Sequence, residues 1–279
     1  MKAERCKIGV VATGSRFTPD MAKAVLDLSH RIYGDRAPDI RFHPQCFLGE
    51  GHFAGPDLER SAAFLEVAND PSFDALWIAR GGYGAGRLTG LVAPRLRPEA
   101  KEKAYLGYSD AAAILAPLYG MDFPHVAHGP MPADINREGG EAAVARALAW
   151  LVDRDPEALE PTARTSAPTA AFNLSILSTL IGTPWQPDLT GHVLMLEEVS
   201  EHMYRIDRML LHVTSNRAIR KVAGIKLGRC SLIPENDPDF ARTEEEVARF
   251  WCERSGIAWL GRADIGHDAA NKVVPFGSC

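Results

Sequence analysis

Tyr105-Leu106-Gly107-Tyr108-Ser109-Asp110-Ala111-Ala112 reads as a strand turning sharply into a helix, with a serine at the corner. Lys103 to Tyr108 can extend as a short apolar strand, and Asp110 to Gly120 is an Ala- and Leu-rich helix that stops at its glycine. Gly107 and Ala111, two positions either side of Ser109, are small enough to let strand and helix close up while the serine projects. That is the construction of a nucleophile elbow, with Ala111 standing where a second glycine is usual. N–H groups at a helix start lack intrahelical partners, so the Asp110 amide is available to an oxyanion. The plainer use of Ser109-Asp110 is a helix cap.

Outward from this corner, strand and helix signals alternate. Ile8–Ala12 has a buried-strand pattern, and Thr18-Pro19-Asp20 caps a helix over Met21–Tyr33, with Met21, Val25, Leu28 and Ile32 at helical spacing. A strand around Ile40–His43 and a helix over Pro56–Asn69, carrying Leu58, Ala62, Leu65 and Val67, come next. Ala75–Ala79 and His125–His128 are strands on either side of the elbow, and Glu141–Val152 is a helix. Repeated βα units of this length predict an α/β protein with a flavodoxin/Rossmann-like parallel sheet and functional loops at the carboxyl ends of its strands. Ser109 and the loop Arg80–Arg87 both fall at such ends.

Asp155-Pro156, Glu160-Pro161 and Ser166-Ala167-Pro168 punctuate a connector. They divide the chain into an N-terminal domain over 1–154, a linker over 155–170 and a smaller C-terminal α/β domain over 171–279. In the second part, Asn173–Ile181 is a short helix, His192–Leu196 a strand ending at Glu197-Glu198, and Met203–Val213 a helix with Ile206, Leu210 and Val213 on one face. Ala223–Gly228 is a strand and Thr243–Ser255 an amphipathic helix with Val247, Phe250 and Trp251 inward. The strand-like Lys272–Gly277 runs so near the end at Cys279 that a natural tail is expected beyond it.

Composition narrows the function. The 279 residues carry a net charge of −5 and no long Lys/Arg stripe, which argues against nucleic acid as a partner. No apolar run reaches membrane-spanning length, and Met1 to Lys7 leads into too short an apolar segment for a signal peptide. Cys6, Cys46, Cys230, Cys252 and Cys279 are odd in number and lack paired spacing, so neither a disulfide framework nor a Cys-based zinc site is expected. These features point to a cytoplasmic protein without metal or cofactor.

A catalytic serine needs a base, and the base needs an orienting acceptor. His267 lies just past a strand pattern in a polar Gly-His-Asp-Ala-Ala-Asn loop, where a scaffold presents such a group; the alternative is a solvated loop histidine. His125 and His128 would face opposite sides of a strand, which disfavours a shared metal, although His128 can line a site beside Gly129-Pro130-Met131. Glu197 and Glu198 end an apolar strand, and by alternation only one can point at the site; both could instead be ordinary exposed strand-end residues. The loop Arg80-Gly81-Gly82-Tyr83-Gly84-Ala85-Gly86-Arg87 lacks the GK[ST] ending of a phosphate loop. It can offer backbone N–H groups opposite Ser109, or be a plain glycine turn, with Arg80 or Arg87 available to a carboxylate.

Taken together, these stretches resemble the LD-carboxypeptidase family of serine peptidases, which includes muramoyltetrapeptide carboxypeptidases and microcin-immunity peptidases. The resemblance is carried, in the family's order, by Ala79-Arg80-Gly81-Gly82-Tyr83-Gly84, Gly107-Tyr108-Ser109-Asp110, His128-Gly129-Pro130-Met131, Asn173-Leu174-Ser175, Gly182-Thr183-Pro184, Leu196-Glu197-Glu198-Val199, Tyr204-Arg205-Ile206-Asp207-Arg208 and Gly266-His267. It implies Ser109 as nucleophile, His267 as base and Glu197, the first of the acidic pair, as orienter. It also implies an oxyanion hole from the Asp110 amide and an amide of Gly81-Gly82, a site at the junction of two domains, and a homodimer. Ala12-Thr13-Gly14-Ser15 departs from the family's Pro-Ser-Gly-like turn, Ala171-Phe172 from its Gly-Gly, and Val273-Val274-Pro275-Phe276-Gly277 from its Leu-Pro-Ile-Gly segment.

The activity implied is cleavage of the L,D-amide before the terminal D-Ala of a murein tetrapeptide, in cell-wall recycling. The terminal carboxylate then needs a cation, with Arg80, Arg87 and Arg205 as candidates. A microcin-type acyl-adenylate peptidase would use the same residues on another substrate. An α/β-hydrolase esterase would show a single sheet and simple-ester activity, and a non-catalytic binding module would keep the cleft without turnover.

Overall fold

Two parallel sheets, stitched by the last strand of the chain, position the loops named above. The computed structural model describes residues 5–278, so Met1–Glu4 and Cys279 lie outside the described residues. The first sheet holds β1 (Lys7–Val11), β2 (Asp39–Phe42), β3 (Ala75–Ile78), β4 (Ala104–Gly107) and β5 (Val126–His128), parallel and in the order β2-β1-β3-β4-β5. This is the flavodoxin-like order of a doubly wound sheet.

Its central strands are buried on both faces, which is why they read as continuous apolar runs rather than alternating ones. Val11, Leu76, Ile78 and Tyr105 pack with α2 (Asp57–Asn69) and α4 (Ala112–Gly120), the short α3 (Thr89–Val92) lying on the same side. Ile8, Val10, Trp77 and Leu106 pack with α1 (Pro19–Tyr33) and α5 (Gly140–Leu148) on the other. Thr18 caps α1, its side chain accepting a hydrogen bond from the Met21 N–H, and Pro19 opens the helix. The buried face of α1 is Ala22, Val25, Leu28 and Tyr33; Ile32, expected on it, is exposed, as is Leu58 on α2. Past Leu148 the helix widens into a π-type turn over Ala149–Asp153.

The second sheet is β6 (Thr169–Asn173), β7 (Val193–Val199), β8 (Gly224–Ser231) and β9 (Trp259–Arg262), all parallel and in sequential order. α6 (Leu174–Leu180), α7 (Met203–Ser215) and α8 (Glu244–Ser255) complete its βα units. Ile206, Leu210 and Val213 are buried as their spacing predicts. On α8 the buried residues are Val247, Ala248 and Cys252, and Phe250 turns outward, contrary to expectation. Two strands were not anticipated. β6 starts inside the expected linker, and its Ala-rich Thr169-Ala170-Ala171-Phe172 gives little β signal despite complete burial. β9 alternates half-buried and exposed residues over only four positions.

The chain end then returns to the first sheet. β10 (Val274–Pro275) runs antiparallel to β5, pairing Val274 with His128, while Thr169 and Gly277 exchange backbone hydrogen bonds at 2.9 Å. One apolar cluster accordingly runs from Tyr105 and Ile114 through Leu177 to Leu196 and Leu210. Two sheets joined in this way differ from the single sheet of an α/β-hydrolase esterase.

Candidate active site

Ser109 follows β4 with φ 59°, in the left-handed region that non-glycine residues seldom occupy. Holding it there costs roughly 1–3 kcal/mol, and the elbow's small neighbours make it possible. A Cβ on Gly107 would stand 3.0 Å from both the Ala111 and Ile78 Cβ atoms, so strand and helix meet at the separation the small residues predict.

The Ser109 hydroxyl lies 2.9 Å from Nε2 of His267, and Nδ1 of His267 lies 2.5 Å from Oε2 of Glu197. With Nδ1–H donating to the carboxylate, Nε2 is left to accept from the serine O–H. The His267 side chain is 7% exposed and that of Glu197 is fully buried. Burial works against an imidazolium at His267, but the charge and hydrogen bond of Glu197 outweigh it, and the pKa stands above its ordinary value. The acidic pair is therefore no exposed strand end. Glu198, on the opposite face of β7, accepts from Asn173 Nδ2 at 2.7 Å and from the Ser175 and Val199 N–H groups at 2.9 Å. It holds α6 to β7.

The glycine loop after β3 lies against the serine. A Cβ on Gly81 would come within 3.2 Å of the Ser109 Cβ, and Gly82 has φ 96° with its Cβ position only 2.2 Å from the Ser15 hydroxyl. Asp110 turns its carboxylate away from the cavity and accepts from the Ala85 N–H at 2.9 Å, tying elbow to loop. From below, the buried Arg60 guanidinium donates to the carbonyls of Thr13, Gly55 and Gly84. Arg60 thereby ties the turns after β1 and β3 to the segment before α2; without it the Thr13 and Gly55 carbonyls would lose their donor, whereas Gly84 keeps the Arg87 N–H at 3.2 Å.

The loop of His267 is clamped by residues that no sequence motif marks. Arg229 donates to Asp264 at 2.7 Å and to Asp268, Arg146 to the Ala269 and Asn271 carbonyls at 2.9 and 2.8 Å, and Arg137 to the His267 carbonyl at 2.7 Å. Oδ1 of Asn271 accepts from the Gly266 N–H and from Nε2 of His128. His128 is thus not a cavity residue: it is buried behind Tyr108, and burial keeps its pKa below the ordinary value.

A cavity of about 320 Å³ opens on the serine, its walls including Arg80, Gly81, Met131, Arg137 and His267. Of the candidate cations, Arg80 lines it, exposed and donating to the Arg16 carbonyl at 3.3 Å. Arg87 is held by Asp57 at 2.8 Å beside a different cavity, and Arg205, on α7, pairs with Glu201 just before that helix, so neither lines the cavity at the serine. Arg137, six residues past Met131 and in no recognisable pattern, was missed by the sequence reading.

Comparison with known proteins gives the family. The LD-carboxypeptidase N-terminal domain matches residues 8–129 and the LD-carboxypeptidase C-terminal domain residues 167–279. A Streptomyces coelicolor protein with a provisional carboxypeptidase name is 32% identical over 99% of this chain and 89% of its own length. The murein tetrapeptide carboxypeptidase of Pseudomonas aeruginosa is 28% identical over 97% of this chain and 91% of its own. Among solved structures, the microcin C7 self-immunity protein MccF in complex with aspartyl sulfamoyl adenosine shares the fold, with a TM-score of 0.80 at 19% identity over 99% of this chain and 92% of its own. The chain belongs to the LD-carboxypeptidase family and is a carboxypeptidase of that hydrolase class.

Proposed function

We propose that this protein is a serine L,D-carboxypeptidase that releases the terminal D-Ala of murein tetrapeptides by cutting the amide after the L-centre of the diaminopimelate residue. What carries the reading is the continuous hydrogen-bond relay from Ser109 through His267 to Glu197, opening on a cavity. In this mechanism His267 takes the Ser109 proton as the hydroxyl attacks the scissile carbonyl, and Glu197 holds the imidazole in the required tautomer and stabilises its charge. The N–H of Asp110 and an amide of Gly81-Gly82 hold the oxyanion. Protonated His267 then serves the leaving amine, and water resolves the acyl-enzyme.

The same reading gives the nucleophile to residues 1–154 and the acid and base to 171–279, joined by 155–170. It places the protein in the cytoplasm, as a homodimer, in cell-wall recycling. Among the described residues, no helix is long and apolar enough to cross a membrane. The alternative substrate class is the acyl-adenylates; MccF, whose fold this chain shares, is known in complex with aspartyl sulfamoyl adenosine.

Mass-spectrometric detection of D-Ala from a tetrapeptide, with an L-Ala-terminated peptide and a peptidyl sulfamoyl adenosine run alongside, tests the proposal. Release confined to the D-Ala substrate supports it. Turnover of the adenylate analogue alone assigns the second class, and silence on all three with a Ser109 that resists fluorophosphonate labelling leaves a binding protein.

A further inference from the structure

We propose that Arg137 binds the terminal carboxylate of the substrate and, through the same guanidinium, links that carboxylate to the placement of His267. The assignment rests on the carboxypeptidase reading and names the residue that makes it specific for a chain terminus. A carboxypeptidase must recognise a negative charge one residue beyond the scissile carbonyl, so it needs a cation in the wall of the same cavity. Arg80 and Arg137 are the arginines in that wall.

They differ in preorganisation. Both are exposed, but Arg80 is anchored by one backbone carbonyl at 3.3 Å, so binding through it would cost side-chain entropy. Arg137 is fixed on several sides. Its Nε donates to Asp134 Oδ1 at 2.7 Å, Nη1 to the His267 carbonyl at 2.7 Å, and Nη2 makes a long contact of 3.4 Å to the Tyr108 hydroxyl. A guanidinium has five N–H donors, so two remain for a ligand.

Asp134 does not compete for them. Oδ1 also accepts from the Tyr108 hydroxyl at 2.8 Å and Oδ2 from the Met131 N–H at 2.8 Å, which keeps the carboxylate turned to its own turn. The Arg137 side chain is 42% exposed, open to the cavity while its fork is held. A planar fork of this kind suits a carboxylate better than a point charge does. Because Nη1 holds the carbonyl of the residue whose ring meets Ser109, a carboxylate on the guanidinium tightens the loop that carries the base.

The test compares the D-Ala-terminated tetrapeptide with its C-terminal carboxamide, read as the ratio of their kcat/KM values in wild type, R137Q, R137K and R80Q. Wild type is expected to favour the carboxylate, R137Q to lose roughly 10- to 100-fold on the carboxylate substrate so that the ratio collapses, and R80Q to keep the ratio. R137K, which keeps the charge without the fork, is expected to retain only part of it, and it stands in if R137Q fails to fold. A purely structural Arg137 would lower both substrates equally; that result, or collapse of the ratio in R80Q, overturns the assignment. Wild-type protein inert on both substrates overturns the carboxypeptidase reading itself, a different outcome from an active enzyme whose preference survives R137Q.

Discussion

The Ser109 hydroxyl and the His267 imidazole meet at 2.9 Å although 158 positions separate them in the chain. One sits at the end of β4 in the first sheet, the other in the loop that follows β9 in the second. Their meeting therefore depends on the seam that β10 and the shared apolar cluster hold closed.

Replacing Ser109 by Ala removes the proposed nucleophile and little that holds the fold, since among the described residues its side chain hydrogen-bonds to His267 alone. Turnover is expected to fall by about 10³- to 10⁶-fold, with a thermal midpoint within about 3 °C of wild type. Undiminished hydrolysis by pure, folded S109A would remove Ser109 from the mechanism.

The pH profile carries a sign that follows from the Glu197 contact. His267 must be neutral to accept a proton, and its pKa is raised, so activity is expected to be lost as pH falls through a value above about 6.5. Glu197→Gln keeps the shape but removes the charge that raises the pKa. The acid limb of kcat/KM should move to lower pH and the rate should fall by roughly 10²- to 10⁴-fold. An unmoved limb in E197Q would show that another group titrates.

Gly82 combines φ 96° with a Cβ position 2.2 Å from the Ser15 hydroxyl, so Gly82→Ala is expected to cost about 1–3 kcal/mol in a urea titration and to lower kcat. Gly86→Ala is the control, because its Cβ would rest 3.6 Å from the Ala113 Cβ at an ordinary φ. Equal stability losses in the two variants would contradict the account of the loop.

Arg60 is fully buried, with Asp57 as its ion-pair partner, and its guanidinium holds three backbone carbonyls. Arg60→Met should destabilise the protein by roughly 2–4 kcal/mol, because the buried Thr13 and Gly55 carbonyls lose their donor, while Asp57 keeps Arg87 as its partner. Chemical denaturation measures it, and a loss below about 1 kcal/mol would mean that the turns after β1 and β3 stand without this residue.

Much of the framework is legible in the text of the chain. Ile8–Ala12 and Ala75–Ala79 are apolar runs of strand length, Thr18-Pro19 is a helix start, and Gly107-Tyr108-Ser109-Asp110-Ala111 can hardly be anything but a tight corner. Each is a local statement about burial, capping or dihedral freedom, and local statements survive folding. Phe250 shows where this stops: its spacing suits an inward face, yet the face that α8 buries was set by how the helix lies on the second sheet.

The sequence by itself determined the α/β alternation, the elbow and, through the family pattern, which distant residues to consider with it. Strand alternation left Glu197 and Glu198 open and the family pattern chose Glu197, which is the one that meets His267; the tertiary structure alone decided that Arg87 and Arg205 face elsewhere and that Arg137 stands in the cavity wall. The physical reason is that periodicity and capping act over a few residues and leave a trace in composition. Contacts between Glu197 and His267 or Arg137 and His267 span 70 and 130 positions, and two sheets must pack before either pair exists.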